Sequence, residues 1–474
     1  MAQERRSNPD HRRAGGVRGA VLPGVLRVVP WTLALALAAA LAIQGEEIER
    51  LLRIGAAYKA KILCSGVFVS GRSADSVLEE DLAVEDLWPL RFFPFELDRE
   101  RQTVRSGIAG MFEAAARFRP GLGCVVGASP RQWEPAVEVV AKAVATPPAA
   151  LDGSAGRISP HLQAALDWGF AEPDPEHLRR TRAMLVLQDG EVVAERYAPG
   201  FGPDTPLAGW SMAKTVLNAL VGVLVGEGRV RLDAPLDLPE WRGDGRAAIT
   251  LEQLLQMTSG LEFSEEYGSP LQDVTVMLLL HPSAAAYAAA KPLRRPPGTH
   301  WYYSSGNSNL ISRLLRTVLG PERYDRFPRE GLFAPLGMDT AVLEQDAAGD
   351  FVASSYLYAS ARDWGKLGQL FLQDGVWRGR RILPAGWVGA STQPVAGSAG
   401  AYGRHLWLRP PDSLLGPDAV ELPAGSYHAV GFESQFVTVV PARRAVLVRL
   451  GLTRHAGSWR QDLWARRVLA ALPQ

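Results

Sequence analysis

Apolar residues run in strand-like stretches at two widely separated places in this chain and at helical spacing between them. Ala183-Met-Leu-Val-Leu187, the turn Gln188-Asp189-Gly190 and Glu191-Val-Val-Ala-Glu-Arg-Tyr197 predict a β-hairpin, because Asp-Gly supplies the positive φ that a tight turn needs. Phe436-Val-Thr-Val-Val440, Pro441-Ala-Arg-Arg444 and Ala445-Val-Leu-Val-Arg-Leu450 predict a second hairpin, and a helical run follows from Trp459 to Leu472. Between the hairpins the period shifts toward 3.6, at Met212–Val225, Leu251–Met257 and Asn309–Leu319. Strands that bracket helices predict an α+β domain over residues 158–474. It is an α/β sandwich whose antiparallel sheet is built from both ends of the domain, flanked by helices and carrying an inserted helical subdomain.

Upstream the pattern is less regular. Residues 46–127 read as an N-terminal extension, with Cys64-Ser-Gly-Val-Phe-Val-Ser70 predicted as a strand and Gly107 to Phe118 as a short helix. Residues 128–157, rich in Ala, Pro and Gly, read as a connector. Residues 1–45 differ in kind. Arg5, Arg6, Arg12, Arg13 and Arg18 precede an apolar run from Val21 to Ile43 that is uninterrupted from Val28, and Glu46, Glu47 and Glu49 follow it. Dense arginine before an apolar stretch of this length predicts an export segment, either cleaved or kept as a membrane anchor. If it is kept, the arginines stay in the cytoplasm and the catalytic part lies outside, in the periplasm or at the membrane.

Charge narrows the function classes. The formal net charge is +1, and outside the N-terminus the basic residues are scattered among acids, which gives no footprint for nucleic acid. There are two cysteines, Cys64 and Cys124, both after the apolar run. In an oxidising compartment they could bridge; the alternative is two buried thiols. No Cys-x-x-Cys or His-Glu-x-x-His pattern occurs, so neither a metal nor any other cofactor is expected.

Three segments carry candidate chemistry. In Trp210-Ser211-Met-Ala-Lys214 the serine opens a helix and the lysine follows three residues on, so the two side chains share a face one turn apart. A serine hydroxyl becomes a nucleophile only beside a base, and a lysine serves once burial leaves it neutral. Lysine is scarce in this arginine-rich chain, and only lysine of the two can give up its proton. The second segment runs from Pro296-Pro-Gly298 through Tyr302-Tyr303-Ser304-Ser305. The third is Tyr427-His428-Ala-Val-Gly431-Phe432-Glu433-Ser434-Gln435, where glycine lets a substrate approach the backbone and exposed N–H groups could complete an oxyanion hole.

The order Ser-x-x-Lys, Tyr-x-Ser and a His/Gly strand motif resembles the serine β-lactamase and penicillin-binding-protein superfamily. Within it the sequence looks most like the class C β-lactamase-related hydrolases, which include 6-aminohexanoate-dimer hydrolase and related esterases. Leu254-Leu-Gln-Met-Thr-Ser-Gly-Leu261, Ala359-Ser-Ala-Arg-Asp-Trp-Gly-Lys-Leu-Gly368 and Arg381-Ile-Leu-Pro-Ala-Gly-Trp387 extend the likeness over roughly residues 160–470. The resemblance implies that Ser211 is acylated, that Lys214 takes its proton, and that Tyr303 relays protons. Tyr303 is favoured over Tyr302 because it begins the Tyr-x-Ser spacing. It further implies an oxyanion site between the Ser211 N–H and an N–H near Phe432–Ser434, with His428, Gly431, Glu433 and Ser305 around it.

This sequence also departs from that pattern. Ser305 stands where many class C enzymes have Asn, and His428-Ala-Val-Gly431 stands where they have Lys-Thr-Gly. The missing lysine weighs against β-lactams or D-alanyl peptides as substrates and in favour of a small amide or ester. Three alternatives stay open at this stage: a β-lactamase or D-alanyl peptidase, a non-catalytic member that binds peptides or wall fragments, and an α/β-hydrolase with Gly209-Trp-Ser211-Met-Ala213 as its elbow. The oligomeric state is not legible.

Overall fold

A computed structural model describes residues 25–108, 110–127, 158–266 and 269–473, with side chains described from Gly45 onward. The basic N-terminus and the predicted connector lie outside the described residues. So do residues 21–24 of the apolar run and the side chains of the rest of it, which from Val25 falls in helix α1 (Val25–Cys64). Among the described residues no helix is long and apolar enough to cross a membrane. The chain divides into two compact units, Met1–Arg50 and Leu51–Gln474.

Within the second unit, the last turns of α1 bury Ile54, Ala57, Ala60 and Leu63. They pack on a four-stranded antiparallel sheet of β1 (Phe95–Asp98), β2 (Thr103–Ile108), β3 (Met111–Arg119) and β4 (Gly123–Val126), paired in that order. Two local expectations fail here. Ser65–Val69 is not a strand but a wide helical turn continuing α1. The helical path puts Ser65 one turn after Lys61, so that Lys61 Nζ reaches Ser65 Oγ at 3.1 Å and both bond to Glu344. The run Gly107–Phe118 is not a helix but the end of β2 and most of β3. Its alanines favour a helix locally. In the fold, however, Phe112, Ala114, Ala116 and Phe118 fall at every second position, and Ala116 is buried opposite Val104.

The extension is joined covalently within itself and electrostatically to the catalytic part. Cys64 and Cys124 form a disulfide with their Cα atoms 6.1 Å apart. Beside it, Lys61 and Glu344 make a fully buried ion pair, and the Cys124 N–H donates to Glu344 Oε1 at 2.7 Å. Arg182 and Arg454 reach back to Asp81 and Asp86 of the extension.

The domain over residues 158–474 is α+β, as its strand and helix pattern predicts. Helix α2 (Pro160–Phe170) precedes the hairpin β5 (Thr181–Gln188) and β6 (Glu191–Tyr197). Helices α3 (Ala213–Gly226), α4 (Ser305–Leu319) and α5 (Ala361–Leu372) fill the middle. Strands β7 (Tyr427–Gly431), β8 (Gln435–Val440) and β9 (Ala445–Gly451) follow, and α6 (Gln461–Ala471) ends the domain. The sheet order is β7-β8-β9-β5-β6, every pair antiparallel, so the two predicted hairpins meet where β9 pairs with β5. The central strands are buried on both faces. Met184, Val186, Phe436, Ala445 and Leu447 face α2 and α6, while Leu185, Leu187, Val437, Val446 and Val448 face α3 and α5.

Candidate active site

Two glycines bring the nucleophile turn to the end of the sheet. A Cβ on Gly431 would lie 2.1 Å from the carbonyl oxygen of Gly209, and one on Gly209 would lie 2.2 Å from the Trp364 ring. A side chain at Gly431 would push β7 from the short turn Trp210–Met212 that leads into α3, and one at Gly209 would push that turn from Trp364 of α5. Trp210 holds φ +47°, an unusual value for a residue with a side chain. That conformation leaves Ser211 partly exposed and places Lys214 in the first turn of α3, where it is buried.

Lys214 is the hub. Its Nζ lies 3.0 Å from Ser211 Oγ, 3.0 Å from Ser305 Oγ and 2.9 Å from the carbonyl oxygen of Ser354. Burial pulls its pKa from 10.5 down to about 8, against the opposing charge of Glu265. An amine that loses its proton near neutrality can accept one from a serine hydroxyl.

Tyr303 closes the other side, with Lys214 Nζ 4.8 Å from its ring centroid. Burial, reinforced by the charge of Glu265, drives the phenol pKa upward, and hydrogen bonds with Ser211 and Trp407 only partly offset this. Tyr303 therefore carries its proton at neutral pH. Its ring is fixed against Trp407 and Tyr402, at centroid distances of 5.3 and 5.8 Å.

Ser305 opens α4 and bridges two charges. Its Oγ accepts from Lys214 and donates to Glu265 Oε1 at 2.5 Å, and its N–H donates to Glu265 Oε2 at 2.8 Å. The hydroxyl thus couples the lysine to a carboxylate without direct contact between them. A cavity of about 190 Å³, lined by Met257, Gly260, Phe263, Arg295, His300 and Tyr302 among others, adjoins this segment.

After Gly431 the chain turns through Phe432, Glu433 and Ser434, the last two with φ of +60° and +62°. Arg449 holds this loop by donating to the carbonyls of Glu433 and Ser434 at 3.1 and 2.8 Å. The Glu433 carboxylate accepts from the Trp210 indole N–H at 2.9 Å and from Arg454 at 2.9 Å, and Arg454 also bonds Asp86. The turn before the nucleophile and the loop after β7 are therefore cross-linked, and the extension braces the cross-link.

The structure thus brings together Ser211, Lys214, Tyr303 and Ser305, with Gly431–Ser434 alongside. It directs His428 elsewhere. The His428 ring is buried against Thr438 at 2.9 Å, and burial lowers its pKa to about 3. Sequence reading missed Glu265, Ser354, His405 and Trp210 as contributors. His405 is buried beneath Lys214, with Nδ1 3.2 Å from the Lys214 carbonyl oxygen, and burial together with the Lys214 charge holds it neutral, its pKa lowered to about 3. Among the described residues no cluster of three or more His, Cys, Asp or Glu is arranged to hold a metal ion.

A fold with both ends in one sheet and a Ser-x-x-Lys pair at the start of α3 defines a class, and comparison agrees with it. Residues 164–471 match the beta-lactamase family, and the chain belongs to that family. It is 26% identical over 298 residues to the 6-aminohexanoate-dimer hydrolase of Paenarthrobacter ureafaciens, covering 57% of this chain and 72% of that protein. In structure it resembles a penicillin-binding protein homolog from Caulobacter crescentus, with a TM-score of 0.51 and 19% identity, covering 68% of this chain and 99% of that one. It also resembles a family VIII carboxylesterase, with a TM-score of 0.50 and 17% identity over 67% and 98% of the two chains.

Proposed function

We propose that this protein hydrolyses small amides or esters through a covalent acyl-enzyme on Ser211. The observation that carries the reading is the buried Lys214 amine, 3.0 Å from Ser211 Oγ, with its pKa near 8. In its neutral form Lys214 accepts the hydroxyl proton as Oγ attacks the substrate carbonyl carbon. The oxyanion that forms lies between the Ser211 N–H and an N–H of the Phe432–Ser434 loop. Tyr303, protonated and hydrogen-bonded to Ser211, passes a proton to the leaving amine or alcohol as the C–N or C–O bond breaks. Water then gives its proton back through the same groups, attacks the acyl carbon and releases the acid, restoring Ser211.

The likeness to the 6-aminohexanoate-dimer hydrolase of Paenarthrobacter ureafaciens supports an amide substrate. The buried, neutral His428 weighs against a substrate that needs a cation at the Lys-Thr-Gly position. We also place the catalytic part outside the cytoplasm, held by the apolar run Val28–Ile43 behind its arginines.

A fluorophosphonate probe followed by peptide mass spectrometry tests the reading. One adduct on Ser211, absent from Ser211→Ala, is expected, together with turnover of short-chain esters and amides. A folded protein that takes no probe is a binding module instead.

A further inference from the structure

Among the described residues seven large hydrophobic side chains are exposed, and six of them (Ile48, Leu51, Trp88, Phe92, Phe95 and Met111) precede residue 112. The much longer catalytic part exposes Tyr302 alone. Four of them, Trp88, Phe92, Phe95 and Met111, belong to the end of the extension where β1 starts and β2 turns into β3. Phe95 starts β1 opposite Ser106, and the β2–β3 turn that carries Met111 lies just beyond that pair. The Gly107 N–H donates to the Pro94 carbonyl at 3.3 Å, tying that turn to the segment holding Phe92 and Trp88. The last turns of α1 reach the same end, where Arg53 lies 5.8 Å from the Phe112 ring centroid and Lys59 lies 5.3 Å from that of Phe95.

The side chains at this end alternate aromatic with cationic. Arg91 lies between the Trp88 and Phe92 rings, 4.9 and 4.7 Å from their centroids. Trp88 is 50% exposed, Phe92 60% and Met111 57%. The segment is held rigidly, since Glu85 pairs with Arg180 and Asp86 with Arg454. Such exposure is not loop fraying. Isolated apolar side chains on a surface need no explanation, but a rigid cluster of Trp, Phe and Met with arginine stems does. Tryptophan with arginine is the composition favoured at the boundary between lipid headgroups and acyl chains, where a ring buries its body and a guanidinium keeps its head in water.

Chain length selects the occupant. The apolar run ends at Ile43 and the second unit begins at Leu51. Eight residues span at most about 28 Å even when fully extended. A run held in a bilayer is therefore no more than about 28 Å of chain from Leu51. We propose that Trp88, Phe92, Phe95 and Met111, with Arg91 and Arg53, form a docking surface that inserts into the headgroup boundary of a phospholipid bilayer. The proposal rests on the anchored reading above. Residues 51–127 carry equal numbers of acidic and basic side chains, so ring insertion rather than net charge drives it.

The test uses the full chain, incorporated into phosphatidylethanolamine–phosphatidylglycerol vesicles, with p-benzoylphenylalanine replacing Phe92 in one preparation and Tyr302 in another. Fluorophosphonate labelling of Ser211 serves as the check on folding. Illumination is expected to add a phospholipid mass to the peptide containing position 92 and none to the peptide containing position 302. A third preparation with the photo-residue at Met111 should also take lipid. Cross-linking of position 92 to residues 128–157 or to a second copy overturns the proposal by naming a different occupant. A chain that floats with vesicles while neither 92 nor 111 takes lipid overturns the docking surface and leaves the anchor standing. A chain that does not float overturns both.

Discussion

The indole N–H of Trp210 donates to the carboxylate of Glu433 at 2.9 Å, fastening the residue before Ser211 to the loop after β7. Both residues hold positive φ, and each stabilises the other's unusual backbone. Glu433→Ala is expected to lower kcat/KM by about 10- to 100-fold, or about 1.4–2.7 kcal/mol. Asp86→Asn, at the exposed end of the same chain of contacts, should change it less than about threefold. Arg454→Met leaves the Glu433 carboxylate buried without its cation and should destabilise the protein by about 3–5 kcal/mol. Steady-state ester hydrolysis and denaturant melts measure these effects.

The two adjacent tyrosines separate cleanly. Tyr303 is fixed against Trp407 and over Lys214, whereas Tyr302 is exposed. Tyr303→Phe should slow acylation by about two orders of magnitude or more, and Tyr302→Phe should leave it within about twofold. Single-turnover acylation with a chromogenic ester decides it, and the reverse ranking would overturn the assignment.

Acylation should depend on pH through Lys214. The protonated amine cannot accept the serine proton, so the rate is expected to rise about tenfold per pH unit and level off near pH 8. The Glu265 charge favours the protonated lysine, and Glu265→Gln should therefore move the rising limb to lower pH. A limb that stays in place or moves upward would show that Glu265 does not act on the lysine.

The same burial has a cost for folding. Below pH 8 Lys214 is protonated in both folded and unfolded chains, and the penalty for burying its charge is present in full. Between about 8 and 10.5 the unfolded chain binds the extra proton, so this group makes stability rise with pH across that window. The drop from 10.5 to about 8 corresponds to about 3 kcal/mol. Lys214→Met is expected to raise the melting temperature at pH 7 while abolishing turnover. Calorimetry at pH 7 and pH 10 checks the sign.

The Cys64–Cys124 bridge spans a sequence separation of 60 residues. On the chain-entropy account, opening a loop of that size costs about 4 kcal/mol. The double variant Cys64→Ser/Cys124→Ser should lose stability on that scale, and protease resistance of the extension should fall first.

Much of this was legible in the sequence, for local reasons. Ser211 and Lys214 sit one helical turn apart, and Asp189-Gly190 sets a hairpin, so both followed from spacing. His428 could have been placed better from period alone. Residues alternate faces along β7, which puts His428 with Val430 on the side of Thr438 and α6, away from Ala429 and Gly431. Glu265, Ser354 and His405 reach Lys214 from other segments, and no spacing rule marks such contacts. The extension was misread because its alanine-rich strand and β-branched helical turn obey long-range partners, Val104 and Glu344, over local propensity.

The pairing of β9 with β5 has a consequence for biogenesis. A ribosome delivers Ser211, Lys214 and Tyr303 well before it delivers Ala445–Gly451. Until then β5 has a bare edge, Arg449 is absent from the Glu433 loop, and the Trp210 turn has no brace. A nascent or truncated chain that lacks β9 therefore holds Ser211, Lys214 and Tyr303 without the assembled site, and the proposed hydrolysis would report that β9 has been made and paired.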